Sequence, residues 1–426
     1  MRVIVAFVAF VLALPVVGRS TDEVSLGDVA DRALEQSRLM VTGSKPFHMK
    51  VEVVETTHPG SEYQAKIEEY WVSRGKWRRT IQSPKFSQTL VVNGDSVSEQ
   101  NTGDYFPFWL SNFVTALEDP FPSRMLEAIK RADVKIMKPS GSTGGQMCSN
   151  LPARVDRWVI CFDSKNGLLS SIFTKGYGAE FKEYKRFGDK HVARLISDDP
   201  EPGMHLEARI VELADLSSPD DSMFEVSQAT PAAERIASVH VSEETFRSMA
   251  LTNTEIDWPP TGGGLETGGC AVYASTDRTG QVREVWPEGC DSTGLEKPLR
   301  DAVKQWRLKP AIANGAPVQI EALLGFTFHT KVSANPPPEL TDEEVRKLAK
   351  GVSEPVFPPG TERGAEYVVR ISVDENGKVT GVDNPNKLPG PIFMAIYRAV
   401  STWKFRPYVK GEKSQYFHGD LAFRVR

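Results

Sequence analysis

Residues 295–310 read LEKPLRDAVKQWRLKP and residues 392–407 read IFMAIYRAVSTWKFRP. At an offset of 97, Leu295, Leu299, Val303 and Trp306 fall on Ile392, Ile396, Val400 and Trp403. Apolar side chains three or four residues apart share one face of a helix, so each stretch predicts an amphipathic helix running into a Trp exit that Pro310 or Pro407 ends. Pro391 suits the start of the second helix, whereas Pro298 suggests that the first begins there. Upstream, Asp277-Arg-Thr-Gly280-Gln-Val282 matches Asp374-Glu-Asn-Gly377-Lys-Val379. An Asp that opens a tight turn and a Gly that closes it form a hairpin signal. Downstream, Leu324, Phe326 and Phe328 match Leu421, Phe423 and Val425, alternating as half-buried strands do.

Farther upstream the offset becomes 99. SEETFRSMA (242–250) lies over TDEEVRKLA (341–349), and Trp258-Pro259-Pro260 over Phe357-Pro358-Pro359. Thr341 is a good N-cap with Glu344 at the capping-box position. We therefore read two copies of one α+β module, 240–331 and 339–426. The order of an aromatic-Pro entry, a strand, a D-x-x-G-x-V hairpin, a helix ending W-[RK]-[LF]-[RK]-P and a closing aromatic strand resembles the C-terminal domain of the TonB family. That domain is the periplasmic part of the energy transducer for outer-membrane transporters. The resemblance rests mainly on Asp277, Gly280, Trp306, Pro310, Asp374, Gly377, Trp403 and Pro407. It implies a periplasmic fold and a role in binding a protein partner. Two departures weaken energy coupling: the hydrophobic N-terminus looks removable, and the only Pro cluster, Pro336-Pro337-Pro338, lies between the repeats.

That N-terminus, MRVIVAFVAFVLALPVVGRS (1–20), has Arg2, an apolar run from Val3 to Leu14, the breaker Pro15 and small residues near Gly18. This is the layout of a cleaved secretory signal peptide, and the run falls short of the ~20 residues that span a bilayer. The expected location is the periplasm or the exterior. In an oxidising compartment four cysteines can pair, and four allow three connectivities. Local pairing of Cys148 with Cys161 and Cys270 with Cys290 is favoured, because each pair brackets a hairpin-like stretch. The 426 residues carry 51 Lys and Arg against 56 Asp and Glu, a net charge of −5, which is no nucleic-acid footprint.

From Thr21 to about 232 the texture differs. Residues 24–41 suit a helix, and after Pro46 come strands near 48–55, 63–73, 77–81, 88–92, 158–162, 168–174, 179–187, 191–197 and 204–214. Asn93-Gly94 and Asn166-Gly167 supply turns between them. Such spacing predicts a large antiparallel sheet that curls around something, and the apolar segment FPFWLSNFVTAL (106–117) is the candidate. The expected class is thus α+β: a curled antiparallel sheet with helices, followed by two small TonB-like modules. A sheet filled by one apolar helix, with a tail such as Asp221-Ser-Met-Phe224, resembles the LolA-like fold of periplasmic lipoprotein carriers. This resemblance implies a pocket for an acyl chain or another hydrophobic ligand, lined by Tyr70, Trp71, Trp77, Phe106 and Trp109. The competing reading is that these aromatics simply fill the core.

Catalytic spacings are missing. There is no H-E-x-x-H, no G-x-S-x-G and no phosphate-binding Gly-Lys-Ser/Thr loop; the Gly-rich runs 141–145 and 262–264 read as flexible loops. Glu68 and Glu69, adjacent in a strand, point to opposite faces and cannot flank one bond. The seven histidines show no metal-ligand spacing. No enzyme, metal or cofactor is expected, and binding remains. The last strand is the expected partner-binding edge, with Leu421, Phe423 and Val425 on one side and Arg424 and Arg426 on the other. Residues 360–426 hold 11 basic against 7 acidic residues, which suits an acidic peptide or equally plain edge protection. The preferred reading is an envelope protein that binds a protein or peptide, an outer-membrane transporter among the candidates. The alternative is a periplasmic carrier of a lipid or other hydrophobic ligand, and a secreted hydrolase comes third.

Overall fold

The computed structural model describes residues 23–425 apart from 58–59, 122, 133, 138–144, 153–156, 175, 202–203, 260–266, 292–294, 331–336, 359, 387 and 412. The expected signal peptide, the Gly-rich loops at 141–144 and 262–264, Pro336 and Arg426 lie outside the described residues. After a short strand at 23–25, Leu26, Val29, Ala30, Ala33 and Leu34 recur at helical spacing and bury one face of helix α1 (Leu26–Ser37). Five strands follow: β1 (Phe47–Glu55), β2 (Ala65–Ser73), β3 (Lys76–Gln82), β4 (Ser87–Asn93) and β5 (Ser96–Asn101). Their alternation is clearest in β1, where Phe47, Met49, Val51 and Val53 are buried. Gly94 turns β4 into β5 at φ +61°, a conformation glycine adopts without steric cost.

Helices α2 (Phe108–Glu118) and α3 (Ser123–Ala132) interrupt the strands. Then come β6 (Gln146–Pro152), β7 (Arg157–Asp163), β8 (Leu169–Thr174), β9 (Tyr177–Lys182), β10 (Leu195–Glu201) and β11 (Met204–Asp215). All eleven join one sheet in the order β5-β4-β3-β2-β1-β11-β10-β9-β8-β7-β6. Every neighbouring pair is antiparallel, so two meanders are sewn together where β11 pairs with β1. The inner face of this sheet shares one apolar core with α1 and α2.

The two repeats follow the same plan. The first has β12 (Ser238–His240), α4 (Glu243–Ser248), β13 (Thr267–Thr276), β14 (Val282–Cys290), α5 (Glu296–Val303) and β15 (Ala316–His329). The second has β16 (Glu339–Leu340), α6 (Asp342–Leu348), β17 (Glu366–Val373), β18 (Val379–Asp383), α7 (Gly390–Ser401) and β19 (Phe417–Arg424). Their sheets run β12-β15-β13-β14 and β16-β19-β17-β18, with the first strand parallel to the last in each. Ser242 caps α4, and Thr341 with Glu344 forms the full capping box of α6. Helix α5 begins at Glu296 rather than at Pro298. Proline is tolerated in the first turn, whose N–H groups have no intrahelical acceptor.

The paired motifs meet in space. Asp277 Oδ1 accepts from the Thr279 and Gln281 N–H groups, and Asp374 Oδ1 from those of Asn376 and Lys378. Gly280 (φ +85°) and Gly377 (φ +83°) press on the chain just past each Trp: an added Cβ would lie 2.1 Å from the carbonyl oxygen of Leu308 or Phe405. Trp306 and Trp403 are each 3% exposed, and the guanidiniums of Arg247 and Arg346 lie over their rings. Pro310 and Pro407 are exposed beyond them.

Among the described residues strands account for 47% and helices for 19%, so the protein is mainly β and dominated by the eleven-stranded sheet. This corrects the expected α+β class with small TonB-like modules. Helices α4 and α6 span only 6 and 7 residues and α7 spans 12, whereas a single strand such as β15 runs for 14. Both cysteine pairs are bonded locally, Cys148–Cys161 across β6–β7 and Cys270–Cys290 across β13–β14.

Candidate functional site

The inner face of the sheet is the place where the fold gathers apolar surface. Period-two alternation points Ala65, Ile67, Glu69 and Trp71 of β2 inward. Helix α2 lies on this face with Phe108, Trp109, Leu110, Phe113, Val114 and Ala116 buried. A void of about 30 Å³ remains at its C-terminal end, lined by Met49, Ala116, Phe181, Ile196 and Ile210 among others. No side chain of its own caps α2 at either end. Its first turn is held from the first repeat: Glu284 accepts from the Phe108 N–H and from the Tyr105 hydroxyl. Enclosure pushes the Glu284 carboxyl up to about 7 against the hydrogen bonds from Tyr105 and the helix. Its last turn is held from the sheet and from α1's end, as Arg79 pairs with Glu118 and Arg38 with Asp119. Acidic groups at a helix C-terminus oppose the macrodipole, so these two ion pairs offset a local cost.

Beside Arg79 sits Glu69, its cross-strand neighbour and 1% exposed. One oxygen of Glu69 has no hydrogen-bond partner. Burial, reinforced by the nearby Glu118 charge, pushes this carboxyl well above the usual range despite Arg79. Glu68 faces the other side, where it meets His48 at 2.8 Å, as expected for adjacent strand residues.

The five aromatics expected to line a pocket divide between locations. Trp71 and Trp109 are buried in the core, Phe106 packs edge-on against Phe86 at 4.8 Å, and Trp77 is the cross-strand neighbour of Trp71. Tyr70 lies on the opposite face, stacked on His48 at 4.2 Å. Trp71, Trp77, Phe106 and Trp109 thus pack in or against the core around α2, and Tyr70 lies apart from them. The sequence reading missed Tyr273 and Trp286. Both leave their own repeat and enter the core of the large sheet, Tyr273 stacking on Phe108 at 4.7 Å and Trp286 approaching Tyr63 at 5.9 Å. It also missed Arg79 and Glu118, and weighed Glu69 only as half of a carboxylate pair with Glu68. The signal for Glu69 and Arg79 was a charged residue standing at inward positions of strands β2 and β3, whereas Glu118 stands at the end of α2.

The last strand is not an edge. β19 lies between β16 and β17, with Leu421, Phe423 and Val425 buried and Arg424 exposed. Beyond the short β16 its open side is closed by α6: the Ala422 N–H donates to Asp342, and Arg346 donates to the Ala422 carbonyl. Among the described residues no group of three or more His, Cys, Asp or Glu is placed to hold a metal ion.

No protein-family model matches the chain, and no curated protein matches it. Three solved structures are similar at low identity. A putative outer membrane lipoprotein-sorting protein domain from Vibrio parahaemolyticus is 11% identical with a TM-score of 0.28, over 46% of this chain and 95% of that one. A LolA superfamily protein from Nitrosomonas europaea is 9% identical with a TM-score of 0.26, over 48% and 98%. A DUF1329 family protein from Desulfovibrio piger is 10% identical with a TM-score of 0.29, over 47% and 96%.

Proposed function

We propose that this chain is an exported envelope protein that carries a hydrophobic ligand between the inner face of its large sheet and helix α2. The observation that supports the reading is the cover itself. An apolar face is roofed by an apolar helix whose ends are held by side chains from other elements, Glu284 at one end and Arg79 with Arg38 at the other. The 30 Å³ void has room for about one water molecule, so an acyl chain enters only as α2 moves outward. As it does so, Arg79 loses Glu118 and is left to pair with the polar end of the ligand. An N-terminal segment that reads as an export signal agrees with this role. Among the described residues no helix is long and apolar enough to cross a membrane.

Native mass spectrometry of protein prepared without detergent should show an adduct of acyl-chain mass. Delipidated protein should take up N-phenyl-1-naphthylamine with a rise in fluorescence. Ile210→Trp fills the void and should weaken that uptake at least several-fold, while costing about 1–3 kcal/mol of stability. Absence of both adduct and dye uptake overturns the reading.

A further inference from the structure

Between the second repeat and the rim of the large sheet lies a cavity of about 630 Å³, within the range of small-molecule sites. Its walls are residues 376–378 and 401–405 of the repeat, Lys350, and Thr56 and Thr57, which follow β1; no residue of α2 is among them. An adjoining cavity of about 260 Å³ shares Thr56, Thr57, Ser401 and Thr402 and adds Lys182, His205 and Arg398.

Three chain segments lie side by side in the wall. Residues 349–351 pair with 404–405, and Lys404 bridges Lys378 on its other side. Each segment gives the cavity one lysine, Lys350, Lys404 and Lys378 in that order, and no carboxylate is among the described residues that line it. Among the described residues none of the three ammonium groups has an ion-pair partner. Like charges directly opposite one another across strands cost stability, so the Lys378–Lys404 bridge is a local expense to the fold. In the adjoining cavity the one carboxylate, Asp199, is already shared by Arg398 and His205.

The first repeat shows independently that the scaffold does not require this strip. It has the same ribbon, Ala250–Thr252 against Arg307–Leu308, and the same bridge, Gln281 with Arg307. Leu251 stands where the second repeat has Lys350, Gln281 where it has Lys378 and Arg307 where it has Lys404. One cation suffices there, so the three lysines point to a ligand rather than to the fold. Adjacent strands lie about 4.8 Å apart, which sets Lys350 and Lys378 about 10 Å apart at the backbone with Lys404 between them. One phosphate group meets two neighbouring ammonium groups. Two linked phosphates meet all three and bring about three negative charges to match them.

We propose that this cavity binds a diphosphate group, free or as the head of a larger molecule, through Lys350, Lys378 and Lys404. The site is separate from the inner face of the sheet and does not depend on what that face carries.

Isothermal titration calorimetry of the full chain with inorganic pyrophosphate, at physiological salt, tests it. Pyrophosphate should bind at least about tenfold more tightly than orthophosphate. Lys350→Ala, Lys378→Ala and Lys404→Ala should each weaken it about tenfold, whereas Lys304→Ala and Lys309→Ala, exposed lysines of the first repeat, should change it less than about twofold. Circular dichroism of each variant separates lost binding from lost folding. Farnesyl diphosphate distinguishes the sources: affinity equal to that of pyrophosphate assigns a free diphosphate, and tighter binding that the three lysine variants still weaken assigns a lipid-borne one. Either result upholds the site. Citrate binding as tightly as pyrophosphate would overturn the phosphate chemistry. Equal weakening by the first-repeat variants would reduce the effect to net charge and overturn the site, and no binding of pyrophosphate overturns the proposal altogether.

Discussion

The two repeats agree in strand order, capping and turn chemistry, and they part at the positions that face the large sheet. At the offset of 97, Tyr273 lies over Arg370, Glu284 over Gly381 and Trp286 over Asp383. The first repeat thus sends two aromatics into the sheet's core and a carboxylate to the start of α2. The second repeat keeps its core to itself and meets the sheet through Arg398, which pairs with Glu180 and Asp199. The helix position of Arg398 is occupied by Asp301 in the first repeat. The Trp exits differ too: Trp403 donates its indole N–H to the Ser353 carbonyl, while that of Trp306 has no partner. One scaffold has been fitted to two kinds of contact, one apolar and built into the sheet's core, the other ionic and partly open to water. Ionic contacts of that sort contribute less and weaken with salt.

The widest separation between the repeats should come from Trp286→Ala. Removing a buried Trp costs about 3–5 kcal/mol, whereas Asp383→Ala at the equivalent position should change stability by less than about 0.5 kcal/mol. Urea unfolding of both variants checks this, and equal losses would remove the distinction. Where the repeats agree, effects should agree. Gly280→Ala and Gly377→Ala each force a Cβ against a carbonyl at positive φ, and each should destabilise by about 1–3 kcal/mol. A large effect in only one repeat would show that the turns are not equivalent.

The smallest effect is electrostatic and belongs to the first repeat alone. Glu284 titrates near 7 in the folded protein against an ordinary value of 4.5. A carboxyl raised on folding favours the folded state while protonated, so its contribution is fully present below about pH 4.5 and is lost as pH rises through 7. Thermal melts from pH 5 to pH 8 should therefore show a decline that Glu284→Gln flattens. Gln cannot ionise, and its carbonyl oxygen still accepts from Tyr105 and Phe108. A decline of unchanged slope in that variant would assign it to other groups, Glu69 and Asp198 first.

Much of the local structure was legible. The Asp-x-x-Gly turns, the Thr341–Glu344 capping box, the helices around 106–117 and 392–403 and both local disulfides follow from rules that act over a few residues. The class was misjudged because the repeats, with their long matching helices on paper, dominated the reading. Strand β15 of the first repeat, at 14 residues, proved longer than any helix of the repeats, and the sheet of the first half gathered eleven strands. That gathering depends on pairs such as Val51 with Ile210, far apart in sequence, for which no local pattern speaks. The supposed edge at 417–426, of which Arg426 lies outside the described residues, failed for the same reason. Its strand is closed by β16 and by Asp342 and Arg346 of α6, contacts that span some eighty residues.

By itself, the sequence determined what short-range physics decides. It set where helices and turns form, which residues alternate inward, that two stretches are copies, and that no familiar catalytic spacing is present. The tertiary structure alone decided which charged residues would be buried together, as Glu69, Arg79 and Glu118 are, and which aromatics would abandon their own module for another core, as Tyr273 and Trp286 do. The reason is physical. Burial and charge compensation depend on every element that packs around a side chain, and those elements are chosen by the whole fold.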